Sequence, residues 1–358
     1  MKSEMERDVH MTKRRATIED VANLAGVSIK TVSRVVNREP NVRATTKERV
    51  ENAIAKLEYR PNPSARDLAS HRARLIVLMY DDPSAYEVPS AGYIIKMQEG
   101  ALRACRAEGF ELLIHPCKNR DNDVGVKLQE QISLVRPSGI VVAAPLSNIP
   151  AIVDAVKASN TPSVFLSTGL GNGEQYEVAT NDREISAEMT RYLASLGHER
   201  IAFIKGSRTH KAVSNRSIGY KDGLKESGLP YAKELVAQGD NSIGSGEKCA
   251  EQLLGLDNPP TAIFAANDDM AAGVVRVANR LGISIPGELS VAGCDDISLA
   301  QQIHPSLTTI RQPLRAMAEA ASQALIEGTR GKLHDPGLET IPGRIVVRES
   351  TGPALGNA

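Results

Sequence analysis

Apolar residues near the start of the chain recur at helical spacing. Between Thr17 and about Tyr59 they lie three or four residues apart, which places them on one face of successive helical turns. The positions are Ile18, Val21, Ala22 and Ala25, then Val32, Val35 and Val36, then Val50, Ile54 and Leu57. The spacing predicts three short helices. Residues 1–16 are polar and without periodicity, so we expect a disordered tail there.

The pattern changes beyond Leu75, where short apolar runs alternate with amphipathic helical stretches. The runs are LIVLMY, ELLIH, GIVVAA, SVFLS, RIAFIKG, ELVAQG, AIFAAN and LSVAGC. Continuously apolar strands that alternate with helices indicate parallel sheets covered on both faces, which is an α/β architecture. Roughly ten strands in about 280 residues exceed what one doubly wound sheet usually holds. We therefore predict two doubly wound lobes, with ligands bound in a cleft at the carboxyl ends of the strands.

Charge separates the same two regions. Hydrophobic residues make up 41% and charged residues 24% of the chain, as in ordinary soluble globular proteins. The net charge is zero, but residues 1–74 hold 16 Lys and Arg against 10 Asp and Glu, and the remainder holds 27 against 33. We call the basic residues 1–74 the head and the acidic remainder the body. A basic head indicates that this part of the chain binds an anion, with nucleic acid as the leading candidate. A solvated basic face is the plainer alternative.

No motif indicates a membrane segment, a metal site or an active site. No apolar run approaches the ~20 residues that cross a bilayer, and no signal peptide is evident, so we expect a cytoplasmic protein. The cysteines, Cys105, Cys117, Cys249 and Cys294, lack metal or disulfide spacing and are predicted to be reduced and mostly buried. No phosphate-loop, zinc-protease or nucleophile-elbow motif occurs. We therefore predict neither enzymatic activity nor a cofactor or metal, and we expect His198 to make a structural hydrogen bond.

The segment TIEDVANLAGVSIKTVSRVVN predicts two helices joined by a tight turn. Thr17 is a natural N-cap, and Asp20 follows three residues later, close to a capping box. Gly26 can adopt the left-handed turn, and Ser28 caps the second helix. The side chains left outside are Ile29, Lys30, Thr31, Ser33 and Arg34. This is a helix-turn-helix pattern, and two core helices joined by a glycine are the structural alternative.

A further short helix is predicted in YRPNPSARDLAS. Asn62 followed by Pro63 combines an N-cap with proline at the first helical position, and the apolar Leu68 follows. Because about seven residues are too few for a stable isolated helix, we expect it to fold only against a partner and DNA. A plain interdomain linker is the alternative.

Together these segments resemble the LacI/GalR family of bacterial transcription regulators. The resemblance is carried by TIEDVANLAGVSIKTVSRVVN, VRATTKERV and LEYRPNPSARDL, and then by LGHERIAFIKG, NRSIGYKDGL, PTAIFAANDDMAAGV, PGELSVAGCDD, PSLTTIRQP and VVRES. It implies a helix-turn-helix domain at 17–61, a hinge helix and linker at 62–74, a periplasmic-binding-protein-like effector core at 75–352 and a C-terminal tail at 353–358. Crossovers near 178–182, 305–310 and 331–336 would give lobe 1 (about 75–179 plus 308–333) and lobe 2 (about 180–307 plus 334–352).

The resemblance also implies which head residues contact DNA. Ile29, Lys30 and Arg34 would face base edges in the major groove, where Lys and Arg donate to guanine and Ile contacts a thymine methyl. Thr31, Ser33 and Asn37 would bind phosphates. Leu68 would wedge between base steps in the minor groove. The predicted DNA-binding set also contains Thr17, Ser28, Asn62, Ser64 and Ala65.

In the body, polar residues that match the family outline an effector cleft. The predicted effector-binding set is Tyr86, Tyr93, His210, Arg216, Asn267, Asp268 and Asp295. Arg, Asp and amide side chains in fixed orientations provide the hydrogen-bond donors and acceptors that bind vicinal hydroxyl groups of a ligand. Helix capping by Asp268 or Asp296, and a surface salt bridge of Arg216, are the alternatives. Ile94 and Cys294 stand where the family usually has aromatic residues, so the shape of the ligand stays open.

The sequence thus predicts a ligand-responsive DNA-binding transcription regulator. We expect a homodimeric repressor of carbohydrate-utilisation genes that binds a near-palindromic operator and is relieved by a sugar or sugar phosphate. One alternative is a corepressor-dependent regulator of the same family. The alternative from another class is a small-molecule binding protein that does not bind DNA.

Overall fold

The computed structural model describes residues 16–36, 42–57, 59, 74–81, 92–118, 123–169, 175–208, 210–332 and 335–355. The chain forms two compact units, residues 1–73 and 74–358. The predicted tail at 1–16 and the predicted hinge at 62–74 lie outside the described residues, apart from Ala16 and Arg74.

Within its described residues, the first unit contains three helices, α1 (Ile18–Ala25), α2 (Ile29–Val36) and α3 (Ala44–Lys56). The capping box predicted for α1 is confirmed, because Thr17 Oγ1 accepts from the Asp20 amide at 3.3 Å and the Asp20 carboxylate accepts from the Thr17 amide at 2.8 Å. Gly26 ends α1 in the left-handed conformation, with φ 64°. Ser28 Oγ accepts from the Thr31 amide at 3.2 Å and so caps α2.

One valine from each helix lies at the centre of this unit. Val21, Val32 and Val50 are all fully buried. Burial of apolar side chains from all three helices stabilises helices that are individually too short to persist in water. The helix-turn-helix predicted from spacing is therefore observed, and its packing leaves the outer face of α2 exposed.

The second unit alternates strands and helices throughout. Its first half runs β1 (Leu75–Asp81), α4 (Gly92–Glu108), β2 (Glu111–Cys117), α5 (Val124–Val135), β3 (Gly139–Val142), α6 (Pro150–Ala158), β4 (Ser163–Leu166) and β5 (Tyr176–Ala179). The second half runs α7 (Asp182–Ser195), β6 (Ile201–Lys205), α8 (Lys211–Glu226), β7 (Val236–Gln238), α9 (Ile243–Leu254), β8 (Ala262–Ala265), α10 (Asp268–Leu281), β9 (Ser290–Cys294), α11 (Leu299–Gln302), β10 (Thr308–Arg311), α12 (Leu314–Gly328), β11 (Gly337–Thr340) and β12 (Arg344–Val346). Short 3₁₀ turns lie at Leu146–Asn148 and Lys233–Leu235.

These strands form two six-stranded sheets, one in each lobe. The first has the order β11-β5-β4-β3-β1-β2 and the second the order β12-β10-β9-β8-β6-β7. All neighbours are parallel except β12, which pairs antiparallel with β10. Apolar clusters from α4 and α12, and separately from α5 and α6, cover the first sheet. The predicted two-lobed α/β fold is confirmed.

The lobe boundaries differ from the prediction at two strands. Strand β10, placed in lobe 1 by the predicted segment 308–333, belongs to the second sheet, and β11, placed in lobe 2 by 334–352, belongs to the first. The chain therefore crosses between lobes at 180–181, 312–313 and 341–343. A strand's apolar pattern shows that it is buried but not which strand it pairs with, and this explains the error.

Two smaller expectations also need correction. The sequence predicts roughly ten strands, whereas the described residues form twelve, and four of these, β5, β10, β11 and β12, are short or partly polar and fall outside the apolar runs. The predicted C-terminal tail begins too early, because Ala354 is 7% exposed and its amide donates to Leu196 O at 2.9 Å.

Two side-chain expectations are confirmed in the same unit. All four cysteines are buried and free. His198 is buried between α7 and β6, where its Nδ1 lies 2.9 Å from Thr261 Oγ1 and its Nε2 lies 2.9 Å from Ser290 Oγ. Two such partners fix the imidazole, which fits the expected structural role.

Candidate functional site

The outer face of α2 is the candidate surface of the first unit. Val32 and Val35 are buried on its inner face, whereas Ile29 is 46% exposed and Lys30 is also exposed. Thr31, Ser33 and Arg34 are partly exposed on the same helix. The predicted contact residues thus lie on one accessible helix, with cationic donors beside a methyl-bearing side chain. That combination can donate to guanine O6 and N7 and can contact a thymine methyl.

Two of the predicted DNA contacts, Thr17 and Ser28, also cap helices in this unit. The Thr17 hydroxyl is engaged by Asp20 within the capping box, at 2.8 Å from Oδ2. The Ser28 hydroxyl lies 2.9 Å from Thr31 Oγ1 and also caps α2. Both residues therefore have structural tasks at helix N-termini, where backbone amides also favour a phosphate. The other predicted contacts, Asn37, Asn62, Ser64, Ala65 and Leu68, and the predicted cleft residue Tyr86, lie outside the described residues.

Arg216 is the centre of a buried polar cluster in the second unit. It extends from α8 and is 3% exposed. Its Nε donates to Asp182 Oδ1 at 2.7 Å, and its Nη1 donates to Ala266 O at 2.5 Å. Asp295 Oδ1 lies 3.8 Å from the same Nη1. The surface salt bridge considered for Arg216 is thus excluded, because its ion pairs are buried.

The partners of Arg216 come from strand ends, as the topology of parallel sheets dictates. Asp182 begins α7 directly after the first lobe crossing, Ala266 follows β8 and Asp295 follows β9. These three positions meet at the carboxyl edge of the second sheet. Of them, the sequence analysis selected Asp295 but missed Asp182, because the strand before it, β5, is short and lies outside the predicted apolar runs.

Asp295 is held in a strained conformation at this edge. Its φ of 119° lies in the left-handed region that non-glycine residues rarely occupy. Its Oδ1 accepts from Gln312 Nε2, a residue on the second lobe crossing that the sequence analysis did not select. Burial raises the pKa of Asp295 to about 7, although the nearby Arg216 acts in the opposite direction. Burial at this edge therefore makes the charged form of Asp295 less favourable than that of a solvent-exposed aspartate.

Asn267 and Asp268 have different structural roles at the start of α10. Asn267, not Asp268, caps this helix: its side chain accepts from the Met270 amide at 3.0 Å, and its Nδ2 donates to Asn241 O at 3.0 Å. Asp268 is fully buried and accepts from the Ile297 amide at 2.9 Å and from Thr309 Oγ1. Burial raises its pKa, and the charge of Asp295 reinforces this. Asp268 therefore supports the loop after β9 from below the surface of the cleft.

Asp296 likewise does not cap a helix. One of its carboxylate oxygens accepts from Arg348 Nη2 at 2.6 Å and the other from Arg311 Nε. The capping alternative is therefore wrong for both Asp268 and Asp296. Their carboxylates instead fix the turn that presents Asp295.

Two buried polar atoms in this region lack partners among the described residues. His210 precedes α8 and is 8% exposed, and its Nδ1 has no hydrogen bond; Ser167 follows β4 in the first lobe, is 2% exposed, and its Oγ lies beside the Tyr93 hydroxyl without a well-formed hydrogen bond. Burial, with help from the charge of Arg216, lowers the pKa of His210 to about 3, so the ring is neutral at physiological pH. Buried polar atoms without partners mark unfilled binding capacity.

Tyr93, on the first turn of α4, brings a phenol from the first lobe towards the same cluster. Burial raises its pKa, and Asp295 raises it further, whereas Arg216 opposes both. These electrostatic influences require the phenol to lie close to the Arg216 cluster. The cleft is consequently bordered by both lobes, with Tyr93 and Ser167 on one side and His210, Arg216 and Asp295 on the other.

The cleft offers a defined set of hydrogen-bonding groups. His210 supplies a neutral imidazole, Ser167 and Tyr93 supply hydroxyls, and Asp295 supplies a carboxylate. The positive charge of Arg216 is already matched by Asp182 and Asp295. Such a set suits a ligand with several hydroxyl groups.

Comparison with known proteins identifies the family. Residues 17–62 match the model for bacterial regulatory proteins of the lacI family, and residues 190–351 match the periplasmic binding protein-like domain. The transcriptional regulator GalR of Salmonella typhimurium is 35% identical over 309 residues, which cover 86% of this chain and 88% of GalR. The chain belongs to the LacI/GalR family.

Other members extend the comparison across almost the whole chain. The probable transcriptional repressor ExuR of Bacillus subtilis is 30% identical over 310 residues, covering 87% of this chain and 90% of ExuR. The lac repressor dimer bound to operator and the anti-inducer ONPF superposes with a TM-score of 0.79 at 27% identity, covering 95% of this chain and all of that one. The transcriptional regulator CelR in complex with cellobiose gives 0.70 at 27% identity, covering 94% and 100%.

Membership of the LacI/GalR family assigns the two units. The first is the helix-turn-helix DNA-binding domain of a transcription regulator, and the second is its periplasmic-binding-protein-like core. Among the residues described by the structure, no group of His, Cys, Asp and Glu has the arrangement of a metal site. Within the same part of the chain, no helix is long and apolar enough to span a membrane.

Proposed function

We propose that this LacI/GalR family member is a homodimeric repressor of carbohydrate-utilisation genes, released from a near-palindromic operator when a sugar or sugar phosphate binds the cleft. The observation that carries the ligand part is the buried cluster around Arg216, with Asp295 held at a strained strand end beside the unpartnered His210 Nδ1 and Ser167 Oγ. Several fixed donors and acceptors suit the hydroxyl groups of a sugar ring.

The DNA part of the proposal follows from the exposed face of α2. Ile29, Lys30 and Arg34 are proposed to read base edges, while Thr31 and Ser33 contact phosphates and fix the register. Two identical heads related by a two-fold axis would read two half-sites, which is the reason for expecting a near-palindrome. The proposed minor-groove wedge at Leu68 belongs to the same scheme.

The switch between bound and released states is proposed to be lobe closure. The chain crosses between lobes at 180–181, 312–313 and 341–343, so a ligand that touches both lobes can favour one arrangement of them. Tyr93 and Ser167 would contact it from the first lobe, and His210 and Asp295 from the second. Relatives support a sugar ligand and repression, since CelR was solved with cellobiose and ExuR is described as a probable repressor.

A two-step binding experiment tests this function. The full chain is first used to select its operator from random-sequence duplexes, and fluorescence anisotropy on that duplex is then repeated with a panel of sugars and sugar phosphates. We expect a selected near-palindrome and at least one sugar that weakens operator binding. Coupling energies of about 1–3 kcal/mol are typical, so operator affinity should fall about 5- to 150-fold.

Each part of the proposal can fail separately in this experiment. Selection of no common sequence would refute specific DNA recognition. A panel member that strengthens operator binding would replace the inducer with a corepressor. Binding of no sugar or sugar phosphate, measured by isothermal titration calorimetry on the same preparation, would refute the carbohydrate ligand while leaving the DNA function intact.

A further inference from the structure

A second cavity, which we call the basic groove, lies where two lobe crossings meet. It has a volume of about 590 Å³ and is lined by the cationic side chains of Lys96, Arg103, Arg311, Arg315 and Arg344. These residues come from α4, the end of β10, the start of α12 and the start of β12. Cavities of about 300–1,000 Å³ are typical of small-molecule sites. The size and location of the basic groove therefore allow it to bind a ligand different from that of the effector cleft.

Acidic residues do not balance the charge of the basic groove. Its only acidic lining residues among those described are Asp296 and Glu319. Asp296 is 3% exposed, and its carboxylate already accepts from Arg348 and Arg311. Glu319 lies 3.5 Å from Arg103 Nε, and Glu99, at the edge, accepts from Arg315 Nε at 3.0 Å. Lys96 donates to the backbone carbonyl of Asp296, and within the described part of the chain its charge has no carboxylate partner.

The most informative feature of the basic groove is a pair of arginines. Arg311 and Arg344 are register partners across the antiparallel β10–β12 pair, so their side chains leave the same face of the sheet. Like charges directly opposite each other are destabilising. The side chain of Arg344 has no hydrogen bond or ion pair within the described part of the chain, and the guanidinium group of Arg311 uses only its Nε. The terminal amino groups of both guanidinium groups are available for an anion.

The opposite wall of the basic groove is rigid. A Cβ at Gly100 would lie 2.0 Å from the backbone oxygen of Arg315, so α4 and α12 pack in direct backbone contact. The N-terminus of α12 follows Pro313 and has no side-chain cap. Its first-turn amides add partial positive charge beside the arginines. A fixed wall with amides and cations matches the geometry of a phosphate group.

We infer that the basic groove is a second ligand site, separate from the effector cleft, which binds the phosphate group of a small phosphorylated molecule. Arg311 and Arg344 form bidentate contacts with the phosphate from the second lobe, and Lys96 contributes a charge from the first. Gln312 connects the two sites, since it lines the groove and donates to Asp295 in the cleft. Any effect of this ligand on transcription depends on the proposed function, whereas the binding of phosphate in the basic groove does not depend on it.

Isothermal titration calorimetry of the full chain tests the site. The probes are inorganic phosphate, glycerol 3-phosphate and glycerol, each at ionic strength matched with sodium chloride. We expect both phosphates to bind and glycerol not to bind. Tighter binding of glycerol 3-phosphate than of inorganic phosphate would support a phosphate ester as the ligand, and the reverse order would overturn the ester but retain the anion site.

Matched variants separate the site from general charge. Arg344→Gln should weaken phosphate binding at least fivefold, because it removes one half of the arginine pair. Arg106→Gln, an exposed arginine on α4 outside the groove, removes the same charge and should change the affinity less than twofold. Lys96→Gln provides a second variant within the groove and should also weaken binding. Equal losses in Arg344→Gln and Arg106→Gln would overturn the proposal.

Hydrogen–deuterium exchange locates the bound phosphate independently of the ligand's effect on transcription. We expect phosphate to slow exchange at residues 311–317 and 343–346. Slower exchange at residues 265–270 and 294–297 instead would place phosphate in the effector cleft and would refute a second site. The proposed function could survive that result, because it depends on the cleft alone.

Discussion

Arg216 and Asp182 form an ion pair in which Nε lies 2.7 Å from Oδ1 and both side chains are 4% exposed. The pair joins α8 to the start of α7, and the second donation from Arg216 to Ala266 O adds the end of β8. Arg216 therefore organises the carboxyl edge of the second sheet. This structural task changes what its substitution can reveal about ligand binding.

Replacing Arg216 by alanine should destabilise the second unit severely. The substitution leaves Asp182 buried without its cation, and removal of one partner of a buried pair costs about 3–5 kcal/mol. Urea unfolding of the full chain, followed by circular dichroism, measures this cost. As a control, Arg276→Ala removes a cation that is 67% exposed and lies 2.7 Å from Glu247, and such surface pairs contribute less than about 1 kcal/mol.

A second substitution distinguishes the ion pair from loss of packing alone. Asp182→Asn in the Arg216→Ala background removes the uncompensated charge and should recover a measurable part of the lost stability. If the double variant were no more stable than Arg216→Ala, the cost would come from the cavity and not from the buried carboxylate. In either case Arg216→Ala alone does not report cleanly on ligand recognition.

Features that depend on local chemistry could be predicted from the sequence. Thr17 and Asp20 form their capping box because the partners are three residues apart, and Gly26 turns left-handed because it lacks a Cβ. Asn267 and Asp295 match positions of the family's cleft, and each also follows an apolar strand, which agrees with that position because parallel strands end at one edge of a sheet. The separation of the DNA-binding domain from the core was also visible in the change of apolar spacing.

Features that depend on distant partners could not be predicted in this way. Strands β10 and β11 were assigned to the wrong lobes because hydrogen-bonding partners are set by the tertiary fold. Asp268 has the sequence position of a cleft residue, but the Ile297 amide and Thr309 hold it in the interior. Ser167 ends the predicted strand SVFLS and Gln312 lies in the family segment PSLTTIRQP, but neither segment marks these residues as ligands, and the packing of the two lobes brings them to the cleft. The basic groove likewise depends on the register between Arg311 and Arg344.

Two cleft residues should affect stability with opposite dependence on pH. Asp295 has its pKa raised by burial to about 7, above an unfolded value of about 3.9, so its contribution is fully present below pH 4 and lost as pH rises to 7. His210 has its pKa lowered by burial to about 3, below an unfolded value of about 6.5. Its contribution is present above pH 6.5 and lost as pH falls towards 3. Between about pH 4 and 6.5, a rise in pH therefore decreases the contribution of Asp295 to the free energy of unfolding and increases that of His210.

Single variants should expose each dependence. In Asp295→Asn the free energy of unfolding should rise more steeply with pH between 4 and 6.5 than in the unmodified protein, by up to about 1.4 kcal/mol per pH unit. In His210→Gln the change in slope should have the opposite sign. Urea titrations at half-unit pH steps measure both, with exposed Asp154→Asn as the control for removal of a carboxylate. The same slope in all four proteins would contradict the assigned pKa shifts.

Substitutions on α2 should separate base reading from phosphate contact. Lys30→Ala and Arg34→Ala should each cost about 1–3 kcal/mol on the selected operator and relax the preference at one base position per half-site. Thr31→Ala should weaken binding by a similar factor on every sequence. Anisotropy titrations against operators with single base changes measure this, with exposed Lys225→Ala as the control for loss of one positive charge. Uniform losses for Lys30→Ala and Arg34→Ala would assign these residues to phosphates.

Asp295→Asn should uncouple ligand binding from DNA binding. Asparagine tolerates a left-handed backbone about as well as aspartate, and its side-chain oxygen can still accept from Gln312, so the turn after β9 should keep its conformation. The carboxylate that would accept from ligand hydroxyls is lost, however. Hydrogen bonds to charged groups contribute about 1.5–3 kcal/mol, so the affinity for the sugar that releases the operator should fall about 10- to 150-fold.

Operator affinity without ligand should stay the same in Asp295→Asn, because the substitution lies in the core and not in the DNA-binding domain. Isothermal titration with the sugar and anisotropy with the operator, both on the full chain, measure the two affinities, and Asp154→Asn again serves as the control. The expected variant is a repressor that stays on its operator at sugar concentrations that release the unmodified protein. Unchanged sugar affinity would remove Asp295 from the ligand site, and loss of operator binding would show that its strained turn positions the two lobes even without ligand.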